Sequence, residues 1–257
     1  MTEPSLWLSQ IKTYDQVAST MDVAKTLAEQ GAPHGTTVVA ASQNSGRGRL
    51  GRTWFSPAGA GLWVTTLVYP EKAPNELSQL GLVAGAATLS CLHSQGAREA
   101  QLKWPNDVMV GTRKLAGILL EAHHLDSSRP LVVLGIGINL AKAQTLDLPP
   151  DIAKRYLGLS QIEGIPDNTN LQSQTLDSLV QSLESRYKQW VTHGLKPLIP
   201  YWEQNDWLKG HLIRASGEAG DVEGIVQGIN ESGELRIETQ NGEALIRSGE
   251  VQRIRPI

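Results

Sequence analysis

Three arginines alternate with three glycines in the stretch Gln43–Trp54, which reads QNSGRGRLGRTW. The alternating residues are Gly46, Arg47, Gly48, Arg49, Gly51 and Arg52. Glycine lets the backbone take a positive φ and lets a ligand approach it closely. Each arginine adds a planar cationic donor that fits a carboxylate or a phosphate. The pattern therefore predicts a loop that holds a small anion.

This loop has other interpretations. Gly46–Gly51 matches the dinucleotide-binding pattern G-x-G-x-x-G, but that pattern requires a helix directly after it. The residues that follow, TWFSPAG, do not favour a helix. An RG segment that binds nucleic acid is usually longer, repetitive and disordered. A solvated basic turn is the ordinary alternative, and the position of the loop after a buried strand argues against it.

Two further motifs carry polar groups. Lys103–Asp107 (KWPND) is a proline-fixed turn with an amide and a carboxylate, and Lys114 opens an otherwise apolar strand. Gly135–Asn139 (GIGIN) lacks two side chains on one face, which indicates that something lies close against it. The ordinary alternatives are a tight turn, a solvated lysine and a helix packed closely on the sheet. Asn139 has the donor and the acceptor needed to bind a purine edge.

Apolar periodicity predicts the elements that position these motifs. Helices are predicted from Ser19 to about Gln30, from about Asn75 to Gln95, over Leu171–Trp190 and around Pro197–Asn205, and strands over Thr36–Ala41, Leu62–Tyr69, Val108–Val110, Lys114–His123 and Leu131–Leu140. Connections after Ala100 are so short that the strands there should be antiparallel neighbours. Gly81 and Gly85 should let the second helix pack closely on the sheet.

The composition changes near Trp207, where glycines begin to punctuate short alternating runs. Such runs are typical of a small barrel of about five strands. The sequence therefore predicts an α+β protein. Residues 1–206 should form a mixed sheet with packed helices, and residues 207–257 a small all-β domain.

The composition also limits the function. The chain has 257 residues with a formal net charge of −3, so a nucleic-acid-binding surface is not expected. Cys91 is the only cysteine, which excludes a disulfide framework and favours a small buried side chain over a catalytic thiol. No apolar run is long enough to span a membrane, and residues 1–8 do not resemble a signal peptide. A cytoplasmic protein is expected.

In combination, the motifs resemble those of the biotin protein ligases. The resemblance is carried by GRGRLGRTW (46–54), KWPND (103–107), RKLAGI (113–118) and GIGIN (135–139), in this order and at these separations. It extends from Ser19 to Val251. It implies a mixed sheet related to the catalytic domains of class II aminoacyl-tRNA synthetases, with an SH3-like C-terminal domain.

The resemblance also implies an activity. An ATP-dependent ligase of this family converts biotin to biotinyl-5′-AMP and then forms an amide bond with a lysine of the biotin carboxyl carrier domain of acetyl-CoA carboxylase. ATP and Mg²⁺ are the expected cofactors, and the sequence identifies no metal ligands. A homodimer and a loop that closes over the intermediate are further expectations.

The family's site residues transfer to numbered positions of this chain. The implied biotin site consists of Ser19, Thr20, Gln43, Arg47, Gly48, Arg49 and Lys114, and the implied ATP site of Trp54, Lys114 and Asn139. Lys114 has the chief catalytic role, supported by Arg49. Met21 stands where the family usually has an asparagine, so one side-chain contact to biotin is missing. Asp107 has two candidate roles, deprotonation of the incoming amine and organisation of Mg²⁺.

Two alternative functions remain. Lipoate or octanoate ligation uses a related fold and the same two steps. A non-catalytic nucleic-acid-binding module would use the arginines of the loop instead. Some family members also repress transcription through an N-terminal helix-turn-helix domain, and because the biotin motif begins at Ser19 a ligase without DNA binding is expected here.

Overall fold

The structure is a computed structural model that describes residues 5–126, 129–166, 168, 170–217 and 220–253. Within these residues the chain forms two sheets with helices packed on the larger one. No helix in the described ranges is long and apolar enough to cross a bilayer.

The larger sheet has seven strands and mixed direction. Its strands are β1 (Ile11–Val17), β2 (Thr37–Gln43), β3 (Gly61–Val68), β4 (Gln101–Lys103), β5 (Asp107–Val110), β6 (Arg113–His123) and β7 (Leu131–Asn139). Their order is β1-β2-β3-β7-β6-β5-β4, with only β1 and β2 parallel. The predicted antiparallel run from β4 to β7 is confirmed. The polar ends of β2, β5, β6 and β7 thereby meet in one region.

Helices cover both faces of this sheet. They are α1 (Thr20–Glu29), α2 (Gln79–Ser94), α3 (Pro150–Ala153), α4 (Leu171–His193) and α5 (Ile199–Gln204). Helices α2 and α4 bury the main apolar cluster, while α1 closes a smaller one with Met21 and Ala24. The periodicity predicted these helices well, apart from the short α3, for which no helix was predicted.

Two local predictions have different outcomes. Ser19 is the N-cap of α1, and its side chain accepts a hydrogen bond from the Met21 amide. Gly85 packs closely, since an added Cβ would lie 3.5 Å from Leu102. Gly81 does not, because a Cβ there would meet nothing within 4 Å. The prediction for Gly81 is therefore wrong.

The smaller sheet contains the five remaining strands. They are β8 (Leu212–Gly217), β9 (Gly220–Ile229), β10 (Leu235–Thr239), β11 (Gly242–Ile246) and β12 (Glu250–Arg253), in the order β11-β10-β9-β8-β12. All four pairings are antiparallel, and one face is buried through residues such as Ile213, Val226 and Ile237. This agrees with the predicted small all-β unit. The domain boundary at 206/207 stays a prediction.

The two sheets are joined by specific contacts. The amide of Leu102 donates to Asn205 O, and the amide of Trp207 donates to Leu102 O, each at 2.8 Å. The indole of Trp104 donates to Gly233 O at 3.1 Å. These bonds cover the edge strand β4 and bring the start of β12 close to the polar strand ends.

Candidate active site

The glycine–arginine loop is an ordered hairpin between β2 and β3. The backbone N–H of Gln43 donates to Ser56 O at 2.9 Å, and the backbone N–H of Trp54 donates to Gly46 O at 2.8 Å. The tip takes positive φ values at Leu50 (55°) and Gly51 (72°), and no α-helix follows it before β3. The loop is therefore neither a dinucleotide-binding turn nor a disordered RG segment.

Arg47 anchors this loop to the sheet and to α1. Its guanidinium lies 2.9 Å from Asp22 and 3.5 Å from Glu121. Lys25 contacts the same Glu121 at 2.5 Å. The sequence predicted Arg47 as a ligand-binding cation, but in this structure its charge is neutralised by two carboxylates.

Arg49 instead connects the loop to both sheets. One terminal nitrogen donates to Asn106 Oδ1 at 3.1 Å and the other to Gly249 O at 3.2 Å. Burial lowers the pKa of Arg49, although Asp107 opposes this effect. Its neighbour Arg52 pairs with Glu250 at the start of β12. The loop thus closes one side of a cleft whose other wall comes from the small sheet.

Three predicted polar residues meet at the N-terminus of α1. Gln43 Oε1 accepts from the amide and the hydroxyl of Thr20, at 2.8 and 3.0 Å, and its Nε2 donates to Ser56 Oγ at 2.8 Å. Ser19 is 1 % exposed. These residues supply donors and acceptors at the end of a cavity of about 60 Å³. Polar groups in a small cavity can orient a polar ring of a ligand.

Trp54 fills a notch made by two glycines that face each other on β6 and β7. Gly117 and Gly137 are register partners. A Cβ at Gly137 would lie 2.5 Å from the indole Nε1 of Trp54, and one at Gly117 would lie 2.8 Å from its ring. Gly135 has a different neighbour, Met21 Sδ at 3.1 Å. Helix packing therefore explains Gly135, whereas the close approach of Trp54 explains Gly137.

Lys114 lies at the mouth of β6, as predicted, and is paired with Asp107. Its Nζ is 2.6 Å from Asp107 Oδ1 and 4.9 Å from the centroid of the Trp54 ring. Asn139, which is 5 % exposed, donates its side-chain amide to Lys114 O at 3.0 Å. Because Asn139 and the carboxylate hold Lys114 from two sides, the position of its ammonium group is well defined.

Two cavities meet at Trp54 and Lys114. The smaller one is lined by Ser19, Thr20, Gln43, Arg47, Gly48, Arg49, Trp54, Lys114, Gly117, Gly135 and Gly137. The larger is a cleft of about 510 Å³ between the sheets, which has the size of a ligand site. It is lined by Gly48, Arg49, Trp54, Lys103, Asp107, Lys114, Asn139, Tyr156, Gly249 and Glu250, among others.

All the predicted site residues thus border one of these two cavities, eight of them the smaller one and Asn139 only the larger. The sequence analysis did not assign Gly117 and Gly249 to the site, and it noted Asn106 only as the amide of the KWPND turn. A signal for Gly117 existed, because it interrupts an apolar strand in the same way as Gly137. The contacts of Asn106 and Gly249 with Arg49 join distant segments, and Gly249 had no local signal.

Family comparisons identify the class. Residues 13–139 match the model of the biotin/lipoate A/B protein ligase family, and residues 212–253 match the biotin protein ligase C-terminal domain. These two ranges correspond to the larger sheet and the smaller sheet. The fold and the paired cavities therefore define a protein ligase of the biotin and lipoate class.

Individual relatives narrow this class. The chain is 33 % identical over 221 residues to the biotin–[acetyl-CoA-carboxylase] ligase of Paracoccus denitrificans, covering 83 % of this chain and 88 % of that protein. It is 32 % identical over 238 residues to the bifunctional ligase/repressor BirA of Bacillus spizizenii, covering 93 % of this chain and 72 % of that protein. The chain belongs to the biotin protein ligase family and is an ATP-dependent ligase.

A solved structure supports the same assignment. The biotin protein ligase from Aquifex aeolicus in complex with biotin and ATP has a TM-score of 0.83 and 29 % identity, over 95 % of this chain and 99 % of that chain. The predicted fold class, a mixed sheet with packed helices and a small C-terminal β unit, is confirmed.

Proposed function

We propose that this chain activates biotin with ATP to biotinyl-5′-AMP and transfers the biotinyl group to a specific lysine of the biotin carboxyl carrier domain of acetyl-CoA carboxylase. The observation that carries the proposal is the position of Lys114. It lies on the border between a small cavity with polar groups at its end and a larger cationic cleft. A lysine at such a border can contact a carboxylate from one side and a phosphate from the other.

The smaller cavity takes biotin. Ser19, Thr20 and Gln43 provide the hydrogen-bonding groups for the ureido ring of biotin. Arg47 and Gly48 border the rest of the cavity, which holds the remaining part of biotin. Because the cavity measures only about 60 Å³ with Trp54 in the glycine notch, Trp54 moves out of the notch when biotin enters. Met21 is 3 % exposed and directs its sulfur towards Gly135, so it offers apolar packing in place of the asparagine's hydrogen bonds.

Filling the notch should therefore impair biotin binding. Gly137→Ala places a methyl group where Trp54 now lies, and we expect the Kd for biotin to rise about tenfold or more, about 1.4 kcal/mol. Isothermal titration checks the affinity, and tryptophan emission reports the displaced indole. Gly81→Ala is the matched control, because its site is open and helical, and it should leave biotin binding unchanged while stabilising the fold by about 0.5–1 kcal/mol. Unchanged biotin affinity in Gly137→Ala would contradict this assignment.

The larger cleft takes ATP. Trp54 packs on adenine once it has left the notch, Asn139 contacts the adenine edge, and Lys114 reaches the α-phosphate. The hydrogen bond from Asn139 to Lys114 O uses one of its donors and leaves its amide oxygen as an acceptor. The cleft is bordered by more cations than carboxylates, which suits a polyanion.

In the first step a carboxylate oxygen of biotin attacks the α-phosphorus of ATP. The new oxygen–phosphorus bond forms as the bond to the bridging oxygen of the β-phosphate breaks, and pyrophosphate leaves with that electron pair. Lys114 bridges the attacking carboxylate and the α-phosphate, and Arg49 supports the charge that develops on the phosphate oxygens. Asp107 holds the Lys114 ammonium in place from 2.6 Å.

A Mg²⁺ ion would be held chiefly by the phosphates of ATP, with which it would arrive. Among the described residues no group of three potential metal-binding side chains is assembled. The carboxylates that border the cleft, Asp107 and Glu250, are paired with Lys114 and Arg52. Mg²⁺ commonly binds substrate phosphates with one or two protein carboxylates. When bound, the ion neutralises phosphate charge.

In the second step the amine of the carrier lysine attacks the carbonyl carbon of the mixed anhydride. The carbon–nitrogen bond forms, AMP leaves with the electron pair of the carbon–oxygen bond, and the amine loses a proton. Asp107 is the nearest carboxylate to Lys114 and can take part in that proton transfer as Lys114 turns towards AMP. The closed hairpin excludes water from the anhydride, which hydrolyses readily.

An edge strand of the larger sheet, which no described strand covers, suits a protein partner. Strand β1 lies at one end of the seven-stranded sheet, whereas the segment 205–207 covers β4 at the other end. An extended segment of the carrier or of a second copy of this chain can pair with β1, and one edge accommodates one of them at a time. The homodimer and the cytoplasmic location stay predictions, as does the lack of DNA binding.

Lipoate or octanoate ligation is the second candidate, because the matching family model includes lipoate ligases. Biotin is favoured by the polar groups at the end of the small cavity, which a ureido ring needs and an aliphatic chain does not. Nucleic-acid binding is disfavoured, since Arg47 and Arg52 of the loop are paired with carboxylates. Binding heats for biotin and lipoate decide between the first two functions.

The carrier reaction tests the whole proposal. The carrier domain should gain one biotinyl group at one lysine when it is mixed with this protein, biotin and ATP. Mass spectrometry of the intact carrier and of its peptides checks the outcome. A carrier domain whose acceptor lysine is replaced by arginine serves as the control. Transfer of lipoate with no transfer of biotin would refute the proposal.

A further inference from the structure

The end of the smaller cavity has a polar side and an apolar side. On the polar side, Thr20 Oγ1 donates to Gln43 Oε1 at 3.0 Å and lies 2.8 Å from Thr65 Oγ1. On the other side Met21 approaches Gly135, where an added Cβ would lie 3.1 Å from Met21 Sδ. Thr65 and Gly135 are register partners on β3 and β7. The change from polar to apolar therefore takes place between two neighbouring strands.

The apolar side is closed by the side chains around Met21. Met21 is buried in an apolar cluster whose other members are Ala24, Val38, Leu67, Leu131 and Val133. Leu119, the register partner of Gly135 on β6, packs against this cluster and also borders the cavity. The thioether sulfur of Met21 is only a weak acceptor, and the other side chains of this cluster have no polar atom. This side of the cavity therefore suits an apolar part of a ligand.

The ring system of biotin has the same two-sided character. Its ureido ring carries a carbonyl and two N–H groups, whereas the fused second ring carries a thioether sulfur, which is a weak acceptor. With the ureido ring at Thr20 and Gln43, the sulfur-containing ring lies against Met21. A methionine side chain is flexible and polarizable, so it adapts closely to an apolar surface.

We propose that Met21 is a specificity-determining residue that selects the thioether form of the biotin ring and rejects ligands in which this sulfur is oxidised. The inference rests on the proposed function, which places biotin in the smaller cavity. An oxygen on the sulfur would be buried against Met21 and Leu119 without a hydrogen-bond donor, which is unfavourable. Arg47 also borders the cavity, but Asp22 and Glu121 neutralise its charge. An asparagine in place of Met21 would offer its amide N–H groups to that oxygen and weaken the selection.

The test compares three ligands by isothermal titration at one pH and without ATP. Biotin sulfone carries an oxygen on both faces of the ring sulfur, whereas 2-iminobiotin differs from biotin only at the ureido group. The wild type should bind the sulfone at least tenfold more weakly than biotin. Met21→Asn should reduce this ratio to less than threefold, while the ratio of 2-iminobiotin to biotin changes less than twofold. Met21→Leu is the matched control, because an apolar side chain of similar size should keep the sulfone ratio at tenfold or more.

Several outcomes would overturn the inference. Equal affinity of the wild type for biotin and its sulfone would show that no such selection exists, and an equal sulfone ratio in Met21→Asn and Met21→Leu would assign the selection to another residue. A change confined to the 2-iminobiotin ratio would place Met21 at the ureido ring instead. If Met21→Asn does not fold, Met21→Gln carries the same expectation, and the wild-type ratio needs no variant. Because the titrations need no ATP, a chain that shows the selection but makes no biotinyl-AMP would refute only the proposed function, and biotin ligation without the selection would refute only this inference.

Discussion

Replacing Lys114 with alanine should lower the rate of biotin adenylation about a thousandfold. Two unit charges about 4 Å apart interact by about 4 kcal/mol at an effective dielectric of 20, and this is the repulsion between carboxylate and phosphate that the ammonium offsets. About 1.4 kcal/mol corresponds to a tenfold change in rate. Pyrophosphate release at saturating biotin and ATP measures the effect.

The design of this experiment has to separate catalysis from folding. Lys114→Ala leaves Asp107 without its partner at 2.6 Å. The double variant Lys114→Ala/Asp107→Asn removes both charges and should be as inactive as the single variant but more stable. Lys25→Ala, which breaks another lysine–carboxylate pair outside the cleft, should retain activity. Near-normal adenylation by Lys114→Ala would show that another group has the chief catalytic role.

Replacing Arg49 with glycine should let biotinyl-AMP escape. The substitution removes the hydrogen bonds to Asn106 and Gly249 that join the loop to the other wall of the cleft. Hydrogen bonds to charged groups contribute about 1.5–3 kcal/mol each. We therefore expect the release rate of the intermediate to rise at least tenfold. Rapid filtration followed by quantification of free biotinyl-AMP measures retention, and labelling of bystander lysines gives an independent readout.

Arg52 provides the graded control for this prediction. It also pairs across the cleft, with Glu250, but its side chain is 65 % exposed. Ion pairs at the surface contribute little, about 0–1 kcal/mol. Arg52→Gly should therefore release the intermediate less than Arg49→Gly does. Retention that is undiminished in Arg49→Gly would contradict the closing role of the loop.

The sequence predicted the fold well because its elements are amphipathic or uniformly apolar. Strand β3 is buried along its whole length, and α2 buries most of its residues, so both produced clear signals. The function of individual glycines was harder to predict. Gly81 and Gly85 are four residues apart and therefore lie on the same side of α2. Only Gly85 meets other elements, through Leu102 and Trp202, because these distant residues reach that turn of the helix and not the one before it.

The site was predictable where a motif is local. The glycine–arginine loop, Lys114 and Asn139 border the paired cavities as the sequence indicated. The partners of the arginines were not predictable, because Arg47 meets Glu121 and Arg49 meets Gly249 only after distant segments have folded together. The structure therefore changes the interpretation of the loop, since Arg47 anchors it and Arg49 closes it.

The central claim is that the two cavities hold biotin and ATP and that their contents react at Lys114. The most direct test is incubation of the protein with biotin and ATP in the absence of any carrier. Pyrophosphate and protein-bound biotinyl-AMP should form together, in an amount close to one equivalent of protein because the intermediate is retained. Omitting biotin, or replacing it with lipoate, should prevent both. If neither pyrophosphate nor the adenylate forms from biotin and ATP, the account is wrong.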